Sequence, residues 1–111
     1  MIRIDAIWLA TEPMSMRVGT ETALARVTAV FGAAKPDYAY LFANRRANRM
    51  KVLVHDGVGV WLAVRRLNQS KFHWPGIRHG CEVELDSEAL NELVLGLPWQ
   101  RVGAGGVISM L

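Results

Sequence analysis

An Asp-Gly turn between two strand-like runs constrains the fold more than any other feature of the sequence. Residues 50–55 and 60–67 are rich in β-branched and aromatic side chains, and the four-residue connection between them contains Asp56–Gly57. A turn of this kind joins neighbouring antiparallel strands. A third run, residues 38–43, precedes them after a proline-containing loop. The sequence therefore predicts a three-strand antiparallel meander.

Two helices are indicated by apolar side chains that recur at helical spacing. The first covers residues 20–31, with Thr20 as its expected cap and Gly32 after its last turn. The second begins after Asp86, a favourable N-cap, and ends near Gly96. Its apolar face follows the i, i+3, i+4, i+7 pattern at Leu90, Leu93, Val94 and Leu97.

Short strand-like runs at residues 4–10 and 82–85 complete the predicted sheet. We predict an α+β fold, in which an antiparallel β-meander sheet of about four to five strands packs with two helices. One domain, residues 1–102, accommodates all of these elements. The Gly-rich residues 103–111 are predicted to form a flexible tail.

The sequence shows no sign of a membrane span or an export signal. No apolar run approaches the ~20 residues that a spanning helix requires, and residues 1–5 lack the features of a signal peptide. Cys81 is the single cysteine, so it forms no disulfide within the chain and offers no metal-ligand spacing. We therefore expect a soluble cytoplasmic protein.

The positive charge is concentrated in the middle of the chain. Residues 38–81 contain eight Lys or Arg against the single acid Asp56, a net charge of +7, whereas the rest of the chain carries −4 and the total is +3. Cations near phosphates release condensed counterions, so a basic segment between acidic flanks indicates a surface that faces a polyanion.

The basic connection between the first two meander strands is the best candidate site. Its arginines suit bidentate phosphate contacts, and a two-stranded ribbon fits the major groove of DNA. The alternative is a solvated hairpin tip whose charges only keep the sheet edge soluble. The predicted DNA-binding residues are Arg45, Arg46, Arg49 and Lys51, extended by Arg65, Arg66 and Lys71.

A second basic stretch, from Arg65 to Arg78, is interleaved with aromatic residues and with His73. Phe72 and Trp74 beside cations are able to stack on bases of a single strand. The same rings more often supply burial, so the favoured interpretation is that they cover the sheet while the cations face water.

No catalytic or metal-binding constellation stands out. His55, His73 and His79 lack the i, i+4 pairing of a metal-binding helix, and adjacent strand residues such as His55 and Asp56 point to opposite faces. Cys81 is expected to be a small, partly buried hydrophobe rather than a nucleophile. No acidic triad suited to two divalent ions appears. We predict a protein without catalytic residues, metal or cofactor.

The order of these residues resembles a known family over nearly the whole chain. Three blocks carry the resemblance. The N-terminal block is Trp8-Leu9-Ala10-Thr11 with Pro13 and Met16-Arg17. The central block is Asn44-Arg45-Arg46, Arg49, Lys51, Asp56-Gly57, Gly59, Arg66-Leu67 and Phe72-His73-Trp74-Pro75. The C-terminal block is Leu93, Gly96-Leu97, Trp99 and Arg101. These blocks resemble those of the accessory proteins called TnpB, encoded by the second open reading frame of bacterial insertion-sequence family sixty-six.

The resemblance implies a non-catalytic factor that acts in transposition beside a separate, larger transposase. DNA, reached through phosphate contacts, and the element-encoded transposase are the implied partners. Val18 and Ala43 stand where the family commonly has basic residues. Two other functions stay open: an adaptor that docks on the transposase through its sheet or through Trp74 and Trp99, and, less favoured, a nuclease in its own right.

Overall fold

The computed structural model describes residues 4–75 and 82–99. Five strands and two helices follow one another as β1 (Ala6–Ala10), α1 (Thr20–Phe31), β2 (Tyr38–Ala43), β3 (Arg49–His55), β4 (Val60–Arg66), β5 (Glu82–Leu85) and α2 (Ser87–Val94). The predictions made for Arg78, His79, Cys81, Arg101 and the tail 103–111 lie outside the described residues.

One five-stranded sheet carries the fold, in the order β4-β3-β2-β1-β5. The meander β2-β3-β4 is antiparallel throughout, and β5 pairs antiparallel with β1. The predicted α+β class, with five strands and two helices, is confirmed. One pair differs from the antiparallel rule: β1 and β2 are parallel, because α1 carries the chain back to the end of the sheet where β1 began.

Each helix covers its own face of the sheet. The face under α1, here the α1 face, presents Tyr40, Phe42 and Leu53 to Ala23 and Val27. The opposite face, here the α2 face, packs a second group of side chains against α2: Leu9, Leu41 and Val54 meet Ala89 and Leu93. Covering on both faces explains why the central strand β2 is an almost unbroken apolar run.

The helix ends differ from the sequence prediction in two places. Gly19, not Thr20, is the N-cap of α1, and no side chain caps that end. The Asp86 carboxylate does cap α2, where it accepts a hydrogen bond from the Ala89 N–H at 2.7 Å. Because α2 ends at Val94, Leu97 lies beyond the helix and is 41% exposed rather than part of the apolar face. Neither helix of the described chain is long and apolar enough to cross a bilayer.

The predicted Asp-Gly turn joins β3 to β4. One carboxylate oxygen of Asp56 accepts hydrogen bonds from the N–H groups of Val58 and Gly59, at 2.9 and 2.7 Å, and Gly57 adopts a φ of 90°. The other oxygen accepts a bond from the Trp61 indole at 3.0 Å. These hydrogen bonds lower the pKa of Asp56 from its ordinary value, and the bond from Gly59 has the largest effect. The antiparallel register of β3 and β4 follows from this turn.

Candidate nucleic-acid interface

The turn between β2 and β3 holds Arg45 and Arg46 at an exposed tip. Asn44 organises it: its side-chain carbonyl accepts hydrogen bonds from the N–H groups of Asn48 and Arg49, both at 3.1 Å, and its amide donates to Asn48 Oδ1 at 2.8 Å. Ala47 completes the turn with a φ of 57°, an unusual value for alanine. The two arginines therefore project from a backbone that is tightly hydrogen-bonded.

Arg49 and Arg66 lie directly opposite each other on β3 and β4. Both side chains are exposed, and directly paired residues of neighbouring strands share one face of the sheet. Like charges in this position repel each other and destabilise the strand pair. Among the described residues, this pair concentrates positive charge beside the turn that carries Arg45 and Arg46.

The chain beyond β4 returns along the same turn. Leu67 N–H donates to the Asn48 carbonyl at 2.9 Å, and Phe72 N–H donates to the Ala47 carbonyl at 2.7 Å. These two bonds bring the exposed Lys71 alongside the turn. Five predicted residues thus gather at one end of the sheet, here called the basic end: Arg45, Arg46, Arg49, Arg66 and Lys71.

Lys51 was predicted to contact DNA but does not lie on the exposed surface. Its side chain is only 4% exposed, and its ammonium donates hydrogen bonds to the Met16 carbonyl at 2.9 Å and the Val18 carbonyl at 2.6 Å. The loop 11–19 therefore folds over Lys51, which holds the loop on the α1 face. A lysine between Met50 and Val52 in a strand is the signal that could have suggested burial.

Arg65 points away from the basic end. Its guanidinium Nε donates to the Val94 carbonyl at 2.6 Å, at the carboxyl end of α2. A cation there satisfies a free carbonyl and interacts favourably with the helix dipole. Because neighbouring strand residues face opposite sides, Arg65 lies on the α2 face and Arg66 on the α1 face. Arg65 thus has a structural partner of its own.

Arg17 is a cation that sequence reasoning did not select. It is exposed, and it lies between Met16 and Val18, whose carbonyls both bind Lys51. Lys51 and Arg49 are two residues apart in β3, so they share the α1 face. Through its two hydrogen bonds, Lys51 therefore holds the Arg17 backbone over the α1 face, which also carries Arg49 and Arg66.

The aromatic residues of the second basic stretch belong to the core. Phe72 and Trp99 are each 3% exposed. The Trp99 indole donates to the His73 carbonyl at 2.7 Å, and the Trp74 indole donates to the Ala10 carbonyl at 2.7 Å. The prediction that Phe72 and Trp74 cover the sheet is confirmed, because Phe72 is buried and Trp74 packs against the core. Of the two docking groups named for an adaptor, Trp99 is buried and Trp74 is partly exposed.

The histidines and acids described by the structure form no evident reaction centre. His55 lies opposite Tyr38 in the sheet, and its Nδ1 is buried without a hydrogen-bond partner among the described residues. Both carboxylate oxygens of Asp56 are engaged within the turn, so this acid does not orient His55. Over residues 4–75 and 82–99, no three His, Cys, Asp or Glu side chains are grouped to hold a metal ion.

Comparison with known proteins gives a family match and two curated relatives. The family described as "IS66 Orf2 like protein" matches residues 5–104. The uncharacterized protein y4hO of Sinorhizobium fredii (strain NBRC 101917 / NGR234) is 30% identical over 96 residues, which cover 86% of this chain and 83% of the relative. A second protein of that strain, y4jC, is 30% identical over 97 residues, covering 86% and 82%. No solved structure matches the chain.

Proposed function

Because the chain belongs to the IS66 Orf2-like family of insertion-sequence accessory proteins, we propose that it assists transposition by binding DNA through its basic end. The contacts are made to phosphates by Arg45, Arg46, Arg49, Arg66 and Lys71. The protein acts in the cytoplasm beside the element-encoded transposase, which carries out the chemistry. Lys51 and Arg65, which have structural partners, are left out of this interface.

The opposed pair Arg49 and Arg66 is the observation that supports this proposal best. Two exposed cations at directly opposite strand positions destabilise the free protein, and a phosphate bound between them removes the repulsion. Arginine suits that role because its planar guanidinium binds phosphate oxygens in pairs. Phosphate binding therefore relieves a charge repulsion that destabilises the free protein.

The basic end suits the backbone of a duplex better than the bases of a single strand. Arg45 and Arg46 lie in the turn between β2 and β3, which are inner strands of the five-stranded sheet and not the free two-stranded ribbon expected from the sequence, while Arg49 and Arg66 lie behind this turn. Single-strand binding uses aromatic rings as stacking platforms, and Phe72 is buried in the core. We therefore propose contacts to the duplex backbone that depend little on sequence.

Binding of a fluorescent DNA duplex, followed by anisotropy over a range of salt concentrations, tests this proposal. Each phosphate contact contributes about 0.9 to the slope of log affinity against log salt. The triple variant Arg45→Ala, Arg46→Ala, Arg49→Ala should bind more than tenfold more weakly and show a slope smaller by about 2 to 3. Lys35→Ala removes an exposed cation in the loop before β2, away from the basic end, and is the control.

Unchanged affinity in the triple variant, with native folding by circular dichroism, would reject the basic end as the contact. If the wild-type protein shows no affinity for DNA but co-purifies with the transposase, the adaptor function is favoured instead. Metal-dependent cleavage of DNA by the purified protein, tested with Mg²⁺ and Mn²⁺, would indicate a nuclease.

A further inference from the structure

Among the residues that the structure describes, the outer strand β4 pairs on one side only, with β3, and its other edge is open. It is the terminal strand of the sheet, and its residues 63–66 are all exposed. The strand contains no proline, and its charges are confined to its last two residues, so it lacks most of the features that protect an edge from pairing. Trp61 and Val64 are 54% and 57% exposed on this strand.

The hydrogen bonds at the two ends of the β3–β4 pair establish which backbone groups are free. Leu67 N–H donates to Asn48, and Asp56 N–H donates to Gly59, so residues 59 and 67 direct their backbone groups toward β3. In an antiparallel pair this direction alternates. Residues 61, 63 and 65 therefore also face β3, whereas Val60, Leu62, Val64 and Arg66 direct their N–H and C=O groups outward.

We propose that two copies of this chain join through β4, antiparallel and centred on Ala63, to form one continuous ten-stranded sheet. In this register Val60 faces the partner's Arg66, and Leu62 faces the partner's Val64. All four of these positions direct their backbone groups outward, so both pairs form complete hydrogen-bonded pairs. The whole seven-residue strand is used, and Ala63 meets the partner's Ala63 on the two-fold axis.

The charges of β4 favour an antiparallel pairing and a second copy of this chain as the partner. A parallel pairing in register would place Arg65 and Arg66 against the same two arginines of the partner, which is repulsive. In the antiparallel register, Arg65 faces the partner's Trp61 at a closely spaced position, with a Cα separation of about 4.5 Å. The strand supplies both members of this cation–π pair, so it is complementary to itself.

The same pairing covers the exposed apolar side chains of this edge. Val64 packs against the partner's Leu62 on the α1 face. On the α2 face, the partner's Trp61 lies next to Arg65, whose guanidinium binds the Val94 carbonyl. Two exposed apolar residues, Trp61 and Val64, are thus covered by one contact.

This inference is independent of DNA binding, and it has a geometric consequence. Arg66 is six residues from Val60, its partner across the proposed interface, so the two basic ends lie at opposite ends of the paired strands. Their separation along the strand direction is about 20 Å. A strand pair of this length buries less area than a standard interface, so the dimer should form in the micromolar range.

Sedimentation equilibrium of the full chain over a concentration series tests the dimer. Val64→Lys places a charge on the shared edge and should weaken dimerisation at least tenfold. Val58→Lys is the matched control, because Val58 is 98% exposed in the turn and outside the paired strand. In addition, Val64→Pro removes only an outward N–H, so it should abolish the dimer without breaking the β3–β4 ladder.

Cysteine cross-linking tests the register and does not depend on the folding of those variants. In a Cys81→Ser background, Ala63→Cys should form an intermolecular disulfide on mild oxidation, because the two Cα atoms on the axis lie close enough. Val60→Cys, about 20 Å from its counterpart, should not. A monomer at every concentration, a dimer unaffected by Val64→Lys, or equal cross-linking at positions 60 and 63 would overturn the proposal. Binding of the transposase to β4, without any dimer of this chain, would also overturn the proposal.

Discussion

The Lys51 ammonium donates a hydrogen bond to the Val18 carbonyl oxygen at 2.6 Å, across 33 positions of the chain. A second bond reaches the Met16 carbonyl at 2.9 Å. A cation that is 4% exposed is thereby satisfied by backbone oxygens, and the loop after β1 is held against β3. The most central lysine of the basic segment therefore contributes to stability and not to the exposed surface.

Replacing Lys51 should lower stability and leave DNA contacts largely intact. Lys51→Met keeps most of the buried volume but leaves two carbonyl oxygens without their donor. We expect the free energy of unfolding to fall by about 1 to 3 kcal/mol, measured by urea denaturation. Lys71→Met, at an exposed position, should change it by less than about 0.5 kcal/mol. Equal effects of the two substitutions would contradict the role assigned to Lys51.

The Arg49–Arg66 pair predicts opposite changes in stability and DNA affinity. Arg66→Glu replaces a repulsive cross-strand pair with an attractive one, so the free energy of unfolding should rise by about 0.5 kcal/mol at low salt. The same substitution should weaken duplex binding more than Arg66→Gln does, since it adds a negative charge. Denaturation and anisotropy measured on the same samples check both effects. A loss of stability in Arg66→Glu would show that the two arginines do not repel each other.

Replacing Ala47 with glycine should stabilise the protein. The left-handed region costs a residue with a Cβ about 1 to 2 kcal/mol, and glycine recovers this at the expense of its greater freedom in the unfolded chain. Ala47→Gly should therefore stabilise the protein by about 0.5 kcal/mol, measured as a rise in the urea midpoint. The control is Ala25→Gly on the exposed side of α1, which should destabilise by about 1 kcal/mol. Destabilisation at both positions would argue against the φ of 57° at Ala47.

The turn carboxylate Asp56 predicts a dependence of stability on acid pH. The N–H groups of Gly59 and Val58, and then the Trp61 indole, lower the pKa of Asp56 below its ordinary value of 3.8. A group whose pKa is lowered by folding contributes stability above its unfolded pKa and loses that contribution as pH falls through the folded value. The stability difference between wild type and Asp56→Ala should therefore be greatest above about pH 4 and shrink below it. A difference that stays constant down to pH 2 would contradict this account.

Much of the fold could be predicted because its signals are local. The hydrogen bonds that Asp56 accepts from Val58 and Gly59 span two and three positions, and the bond by which Asp86 caps α2 spans three. Alternation of side chains in β3 and β4 and the spacing of α1 are equally short-range. Such features identified the meander and both helices, although Gly19 replaced Thr20 as the cap and Leu97 fell beyond α2.

Only part of the candidate site could be predicted from the sequence. The basic turn at Arg45 and Arg46 follows from local residues, but the chain itself does not say which cations meet. Two hydrogen bonds from Leu67 and Phe72 bring the segment after β4 back to this turn. The charge of Lys51 predicts a DNA contact, but its burial depends on a loop that is more than 30 residues away.

The sequence by itself determined the strands, the helices, the Asp56–Gly57 turn and the concentration of positive charge. Tertiary structure alone decided that β1 and β2 run parallel, that Lys51 is covered while Arg49 is exposed, and that Arg49 faces Arg66. The physical reason is the range of the interactions. Turns, caps and periodicity depend on neighbours a few residues apart, whereas burial and cross-strand pairing depend on distant segments that the folded chain brings together.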